Sequence, residues 1–335
     1  MPVPAIGKPT KATAALPGPA ASCNHGAMTD RSTVRLVSLP PEPEFTTETA
    51  WHTLTAACEL AGLDSRGAQL LRLGTNANYR LAAHPILVRI SPGHMREVRT
   101  EVAVARWLAG HGFPATRIAE DIAQPAELHG RIVTFWEFVE HHEDPATVAD
   151  IARLLYELHQ LPEPAGITLP RFDPLAHTVQ RLESAGDGAD ACFLRDRCEQ
   201  LRARYAGLDF ALPQGVIHGD AHEANALRDR SGIVMLLDFE ACAWGPREWD
   251  MGVLAMRFKP FGWISEADYK KCVAAYGGFD ITGWAGYPVL TSIRQLNMTT
   301  WLLHKAGQSP AHAEELSIRM ADLRDDRAPR QWRAF

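Results

Sequence analysis

One stretch restricts this chain more than any other. Val216-Ile217-His218-Gly219-Asp220-Ala221-His222-Glu223-Ala224-Asn225 is followed by Leu236-Leu237-Asp238-Phe239-Glu240. Asn225 comes five residues after Asp220, and Asp238 eighteen residues after it. The apolar run from Ile233 to Leu237 reads as a strand that ends at Asp238. A loop with one carboxylate and one neutral amide, beside a strand ending in a second carboxylate, has the parts that phosphoryl transfer needs. A base must sit beside an acceptor hydroxyl, and oxygen ligands must hold Mg²⁺ against nucleotide phosphates, where it neutralises charge developing during transfer. On this reading Asp220 is the base, and Asn225 and Asp238 are the metal ligands. The alternation of His218, Asp220 and His222 also suits a hydrolytic metal site. That alternative lacks a further ligand cluster at a recognisable spacing, and it leaves Asn225 and Asp238 unexplained.

Together with Gly245-Pro246-Arg247-Glu248-Trp249-Asp250, these residues resemble the aminoglycoside phosphotransferase and choline kinase superfamily, which has a protein-kinase-like fold. The Asp220 to Asn225 interval equals that of the protein-kinase catalytic loop. The likeness spans roughly residues 46 to 325 and is densest from 214 to 252. It implies an α+β, bilobal fold. A small N-lobe, residues 46–138, would carry an antiparallel sheet, one main helix and the nucleotide site; a larger, mostly helical C-lobe, residues 139–335, would carry catalysis and the acceptor. The implied activity uses ATP and Mg²⁺ to phosphorylate a hydroxyl. Three residues take supporting roles under this resemblance. His218 braces the catalytic loop, Asp250 bonds its backbone, and Glu240, standing where protein kinases have Gly, reaches a second metal indirectly or bonds the loop.

The rest of the composition narrows the class. With 335 residues of which 46% are hydrophobic, the chain can bury a substantial core. A formal net charge of −6 and the lack of a Lys/Arg stripe argue against a nucleic-acid partner. The six cysteines are scattered without a C-x-x-C pair and read as reduced thiols. No apolar run approaches the roughly 20 residues of a membrane span, and no secretory leader is evident, so the expectation is a cytoplasmic protein with no membrane partner. Residues 1–45, rich in Pro, Ala, Ser and Thr, read as a disordered tail in which Met28 offers a second start.

Taken in order, the first expected helix runs from Thr47 to Leu60, with Gly62 as its C-cap. Two apolar runs then flank Gly74-Thr75-Asn76, suggesting a hairpin. By itself this is an ordinary polar turn; the superfamily resemblance makes Gly74, Thr75 and Asn76 candidates for cradling nucleotide phosphates. In the strand Ile86-Leu87-Val88-Arg89-Ile90 a single cation stands where most kinases use Lys to pair the α- and β-phosphates. Arg89 takes that role, with an edge-strand cation as the plain alternative. Its expected partner is Glu101, preferred to Glu97, on a helix from Glu97 to Ala109. Ile118-Ala119-Glu120 and Gly130 to Trp136 are read as further strands, leading to a hinge at Glu137-Phe138-Val139-Glu140. Trp136 and Phe138 are the aromatic candidates for the nucleotide site, with core or hinge packing as the competing role.

Asp144-Pro145 signals the start of a helix lined by Val148, Ile151, Leu154, Leu155 and Leu158, with His159 packing or capping its end. Acidic residues between Glu163 and Glu199 could receive a cationic acceptor, although a solvated face explains any one of them. Helices are expected at 175–184, 191–206, 266–275, 288–304 and 310–323, and the tail 331–335 has no physical assignment. The acceptor suggested by the resemblance is an aminoglycoside-type or amino-sugar hydroxyl. An amino alcohol or amino acid of the choline or homoserine type is the alternative. A kinase-fold binding module without catalysis is the other class, kept open by Arg89 in place of Lys.

Overall fold

Five antiparallel strands order the first part of the chain: β1 (Gln69–Leu73), β2 (Ala77–Arg80), β3 (Ile86–Ser91), β4 (Ala126–Leu128) and β5 (Arg131–Glu137), arranged β1-β2-β3-β5-β4. The computed structural model describes residues 45–92, 94–141, 144–325 and 330–333. The expected tail, with Met28, thus falls outside the described residues apart from Phe45. Because side chains alternate between the faces of a strand, each face of the sheet takes its own helix. Helix α1 (Thr47–Ala61) covers the face that bears Tyr79, Val88, Ile90, Val133 and Phe135. Helix α2 (Met95–Gly110) covers the other, packing Val98, Val102 and Ala105 on Leu87, Ile132 and Trp136. Arg89 shares the parity of Leu87 and therefore points at α2. The Thr46 hydroxyl accepts from the Thr49 N–H at 3.2 Å to start α1, and Gly62 ends it at φ 68°, a left-handed conformation that a residue without a Cβ adopts freely.

Two expectations need correcting here. Ile118 forms only an isolated bridge to Trp136; the fifth strand is β4, whose three residues Ala-Glu-Leu are too few to carry a periodic signal. Helix α3 (Val148–Gln160) does not start at Asp144-Pro145. Thr147 is its N-cap, and the reciprocal bonds Thr147 N to Asp150 Oδ2 (3.0 Å) and Asp150 N to Thr147 Oγ1 (3.2 Å) form a capping box that outcompetes the earlier signal.

The second part is helical around one large core. It comprises α3, α4 (Ala176–Glu183), α5 (Ala189–Ala206), two short antiparallel pairs, α6 (Glu248–Phe258), α7 (Glu266–Ala275), α8 (Tyr287–Lys305) and α9 (Pro310–Arg324). The pairs are β6 (Gln214–Ile217) with β9 (Ala243–Pro246), and β7 (Ala226–Arg228) with β8 (Val234–Leu236). Trp332, from the tail, is buried, with its ring 5.3 Å from that of Phe261 and under the Arg319 guanidinium at 4.7 Å. No helix among the described residues is long and apolar enough to cross a membrane.

Candidate active site

Strand β6 ends at Ile217 and delivers the chain directly into His218-Gly219-Asp220. Asp250, fully buried near the start of α6, accepts the His218 N–H (2.8 Å), the Gly219 N–H (2.8 Å) and a bond from His159 Nε2 (3.1 Å). His159 Nδ1 in turn lies 2.5 Å from the Tyr276 hydroxyl. A carboxylate buried with three donors is satisfied, and it holds the loop backbone in place. Gly219 sits at φ 85°, and a Cβ there would lie 2.4 Å from the Ala241 carbonyl oxygen. Trp249 Nε1 donates to the Gly219 carbonyl at 2.7 Å.

The loop after β8 is tied to this one by the His218 ring and by the Leu237 N–H, which donates to the Asn225 carbonyl at 2.9 Å. His218 Nε2 donates to the Leu237 carbonyl at 2.9 Å, and Nδ1 accepts the Asp220 N–H at 3.3 Å. These partners define the neutral tautomer with its proton on Nε2. Asp238 follows immediately, at φ 61°, a left-handed conformation unusual for a residue other than glycine. Asn225 Nδ2 donates to the Asp220 carbonyl at 3.0 Å, which leaves its amide oxygen as the acceptor group.

Arg89 meets three carboxylates. Nη1 donates to Glu101 at 2.7 Å, and Nη2 donates to Asp238 and to Glu240 at 3.1 Å each. The Asn76 amide, with its oxygen toward the guanidinium, accepts bonds of 3.0 and 3.1 Å from the same side chain. Burial disfavours the charge on Arg89, but Glu101, Asp238 and Glu240 outweigh it and hold it more firmly protonated than usual. Seen from Glu101 the balance differs. Its side chain is 5% exposed, and burial raises its pKa against the opposing pull of Arg89. The short contact establishes the ion pair; the raised carboxyl value measures what burying it costs. Glu240 is pushed upward by partial loss of hydration in the cleft and by the Asp238 charge, a push that its 63%-exposed side chain leaves open to solvent screening.

Asp220 is bonded by Arg294 Nη2 from α8, with His222 Nε2 3.5 Å from its other oxygen. Burial opposes its ionisation, yet the charges of Arg294 and His222 hold its carboxyl far below the ordinary range. Arg294 is the only Arg, Lys, Asp or Glu of α8 before Lys305, a lone cation on an otherwise uncharged helix. That was its sequence signal. In the sequence 74 residues separate it from Asp220, and no motif joins the two.

A cavity of about 1100 Å³ joins these groups. Thr75, Asn76, Arg89 and Glu101 line it from the sheet side, Asp220, His222 and Glu240 from the loops, and Arg181 and Arg294 from the helices. Asp238 reaches the lining through Arg89, and Asn225 through the Asp220 backbone. Gly74 instead closes the hairpin, its N–H donating to the Asn76 carbonyl at 3.0 Å. Trp136 is a core residue: its ring packs between the sheet and α2, with Nε1 on Thr134 Oγ1 at 2.9 Å, and it does not line the cavity. Phe138 lies under the Arg80 guanidinium at 4.4 Å, also away from the lining. The N–H groups of Glu137 and Phe138 are taken by the Arg117 and Pro85 carbonyls, both at 2.8 Å, so the expected hinge offers neither of them to a base. Among the described residues, no three His, Cys, Asp or Glu side chains cluster as a ready metal site.

A five-stranded sheet with one helix on each face, set on a helical body with the Asp220 and Asp238 loops between them, is the protein-kinase-like architecture. The model of the phosphotransferase enzyme family matches residues 68–289, and the chain belongs to that family. Solved structures agree on the fold. A choline/ethanolamine kinase family protein from Mesorhizobium loti is 20% identical, with a TM-score of 0.57 over 85% of this chain and 96% of that one. An amicoumacin kinase in complex with AMP-PNP, Ca²⁺ and Ami is 13% identical, with a TM-score of 0.64 over 84% and 95%. A spectinomycin phosphotransferase in complex with ADP and spectinomycin is 12% identical, with a TM-score of 0.56 over 83% and 94%. No curated protein matches the chain by sequence.

Proposed function

We propose that this protein transfers the γ-phosphoryl group of ATP to a hydroxyl of a small molecule, with Asp220 as the base at that hydroxyl. The observation that carries this reading is the joining of the Asp220 loop to the Asp238 loop through the two nitrogens of His218. One carboxylate, one amide oxygen and a second carboxylate then stand on two mutually fixed loops beside a cavity. The acceptor oxygen forms the new bond to phosphorus as the bond to the ADP oxygen breaks, and the hydroxyl proton passes to Asp220. A carboxylate with so low a pKa is a weak base. That suits a loose transition state in which positioning matters more than early proton removal.

Asn225 and Asp238 fit Mg²⁺ as hard oxygen donors, one neutral and one anionic. When bound there, the metal would neutralise charge on the phosphoryl group in transfer. Residues 46–138 would serve the nucleotide, with Thr75, Asn76 and Arg89 toward its phosphates and Glu101 holding Arg89; residues 139–335 would serve catalysis and the acceptor. His218, Asp250 and His159 are positioning residues, and Glu240 tempers the charge around Arg89. The nucleotides named with the amicoumacin kinase and the spectinomycin phosphotransferase support ATP as donor.

The test is ADP release across hydroxyl-bearing acceptors with the unmutated chain and Asp220→Asn, alongside nucleotide binding to both. The variant should bind nucleotide normally and lose turnover by a factor of about 10² or more. Nucleotide binding without Asp220-dependent release on any acceptor would make the chain a kinase-fold binding module instead.

A further inference from the structure

The helical wall of the cavity carries an unbalanced pair of cations. Most charges there are matched locally: Arg257 pairs with Glu223 at 2.8 Å, Arg319 with Glu315 at 2.9 Å, and Asp173 with Arg202 at 3.1 Å. Arg181 and Arg294 are different. Arg294 has Asp220 as its carboxylate partner. Arg181, from α4, makes one bond, from Nη1 to the Asn297 carbonyl at 3.5 Å, and no carboxylate among the described residues lies within ion-pair distance of it. Asn297 is one turn along α8 from Arg294, so its carbonyl brings Arg181 to the same stretch of the cavity. Burial and the Arg294 charge both weaken the hold of Arg181 on its proton, and only Asp220 strengthens it. One carboxylate, the base, thus contacts Arg294 and is the one negative charge that favours Arg181 in its charged form.

We propose that the acceptor carries an oxyanion, a carboxylate or a phosphate, close to its reactive hydroxyl, and that Arg181 and Arg294 hold this group. The inference rests on the kinase reading and deepens it. A guanidinium presents paired N–H donors that match the two oxygens of a carboxylate or phosphate. A partly desolvated cation without a counter-charge costs free energy until an anion arrives. The same contact has a consequence for the base. While Arg294 bonds Asp220, it occupies one lone pair of that oxygen and draws off its charge; an acceptor anion competes for Arg294 and restores both. Acceptor binding and release of the base are then one event. A polycationic amino sugar would meet the opposite field, so this wall departs from the cationic acceptor expected from the sequence.

The experiment has two arms. In the first, a small-molecule extract is split on an anion exchanger at a pH high enough to neutralise amino groups, so that any molecule carrying a carboxylate or phosphate is retained, and each fraction is assayed at neutral pH for Asp220-dependent ADP release. In the second, matched pairs differing only in the anion are compared: D-glycerate with glycerol, L-homoserine with its amide, and glucosamine 6-phosphate with glucosamine. The expected result is release confined to fractions retained by the anion exchanger, with the pairs separating carboxylate from phosphate as its source. For the active fraction, Arg181→Gln should raise the apparent acceptor KM at least about tenfold at unchanged KM for ATP, and Arg181→Lys should recover part of the loss. Asp220-dependent release from the unbound fraction, equal release on the two members of a pair, or an Arg181→Gln acceptor KM within twofold of the unmutated value, overturns the anionic acceptor while leaving the kinase reading intact. Absence of Asp220-dependent release from every fraction and pair overturns the kinase reading, and this inference with it.

Discussion

Replacing Arg89 by Met removes the cation between α2 and the Asp238 loop while keeping a chain of similar length. Glu101, only 5% exposed, is then left with no opposite charge in contact. Breaking a buried ion pair by deleting one partner costs about 3–5 kcal/mol. Asp238 and Glu240 have side chains 36% and 63% exposed, so their lost contacts add about 0–1 kcal/mol each. The cost should depend on pH with a definite sign. Glu101 already holds its proton more tightly when folded than its ordinary value of 4.5. A carboxyl raised in this way contributes stability that is fully present below its unfolded pKa and lost as pH rises through the folded value. Without Arg89 that folded value climbs further, so the variant should lose most stability near pH 8 and recover part of it toward pH 5. Urea unfolding followed by circular dichroism across this range measures the difference directly. The double variant Arg89→Met, Glu101→Leu removes the stranded charge and should regain most of the loss at about pH 8. A single-variant cost below about 1 kcal/mol, a cost independent of pH, or no recovery in the double variant would refute the argument that burial of Glu101 sets the energetics.

Other outcomes follow from the same site. Asp238→Asn should abolish the rise in melting temperature that Mg²⁺ with ATP produces, while ATP alone acts as before; an unchanged rise would remove Asp238 from the metal site. Gly219→Ala, forced to φ 85° and against the Ala241 carbonyl, should destabilise by about 2 kcal/mol or more in urea and lower kcat more than it raises the KM for ATP. A fully stable, fully active variant would mean that the loop has room to shift. Asp250→Asn places an amide NH₂ toward one of the two backbone N–H groups it served. It should cost about 2–4 kcal/mol, read as an earlier urea midpoint.

Local signals carried most of the fold. Thr46 and Gly62 bracket α1 as their chemistry dictates, and the polar turn at Gly74-Thr75-Asn76 separates β1 from β2. The Arg89 and Glu101 pairing was legible because the resemblance sets a strand cation against a glutamate of the next helix, and position along that helix favours Glu101 over Glu97. Where several local signals compete, reading them singly misled: Asp144-Pro145 lost the start of α3 to the reciprocal Thr147 and Asp150 cap. Trp136 could not be assigned from type alone, because an aromatic at a strand end serves core and cleft equally well, and only the packing of α2 decides. The Arg181 and Arg294 pair was illegible for another reason. Neither sits in a motif, and their proximity is made by α4 packing on α8, a tertiary event with no local trace. The burial of Trp332 against Phe261 and Arg319 belongs to the same category.

His218 gives the two loops a shared mechanics. Because one rigid ring is bonded on opposite sides, to the Asp220 N–H and to the Leu237 carbonyl, a displacement of either strand end is transmitted to the other through a plane that cannot bend. The spacing of Asp220 from Asp238 is therefore set by this ring together with the Leu237 N–H bond to the Asn225 carbonyl. Variation in the helices around the cleft is free to leave this coupling intact, while a change that moves one loop alone must break both the imidazole bond to the Leu237 carbonyl and the Leu237 N–H bond to Asn225.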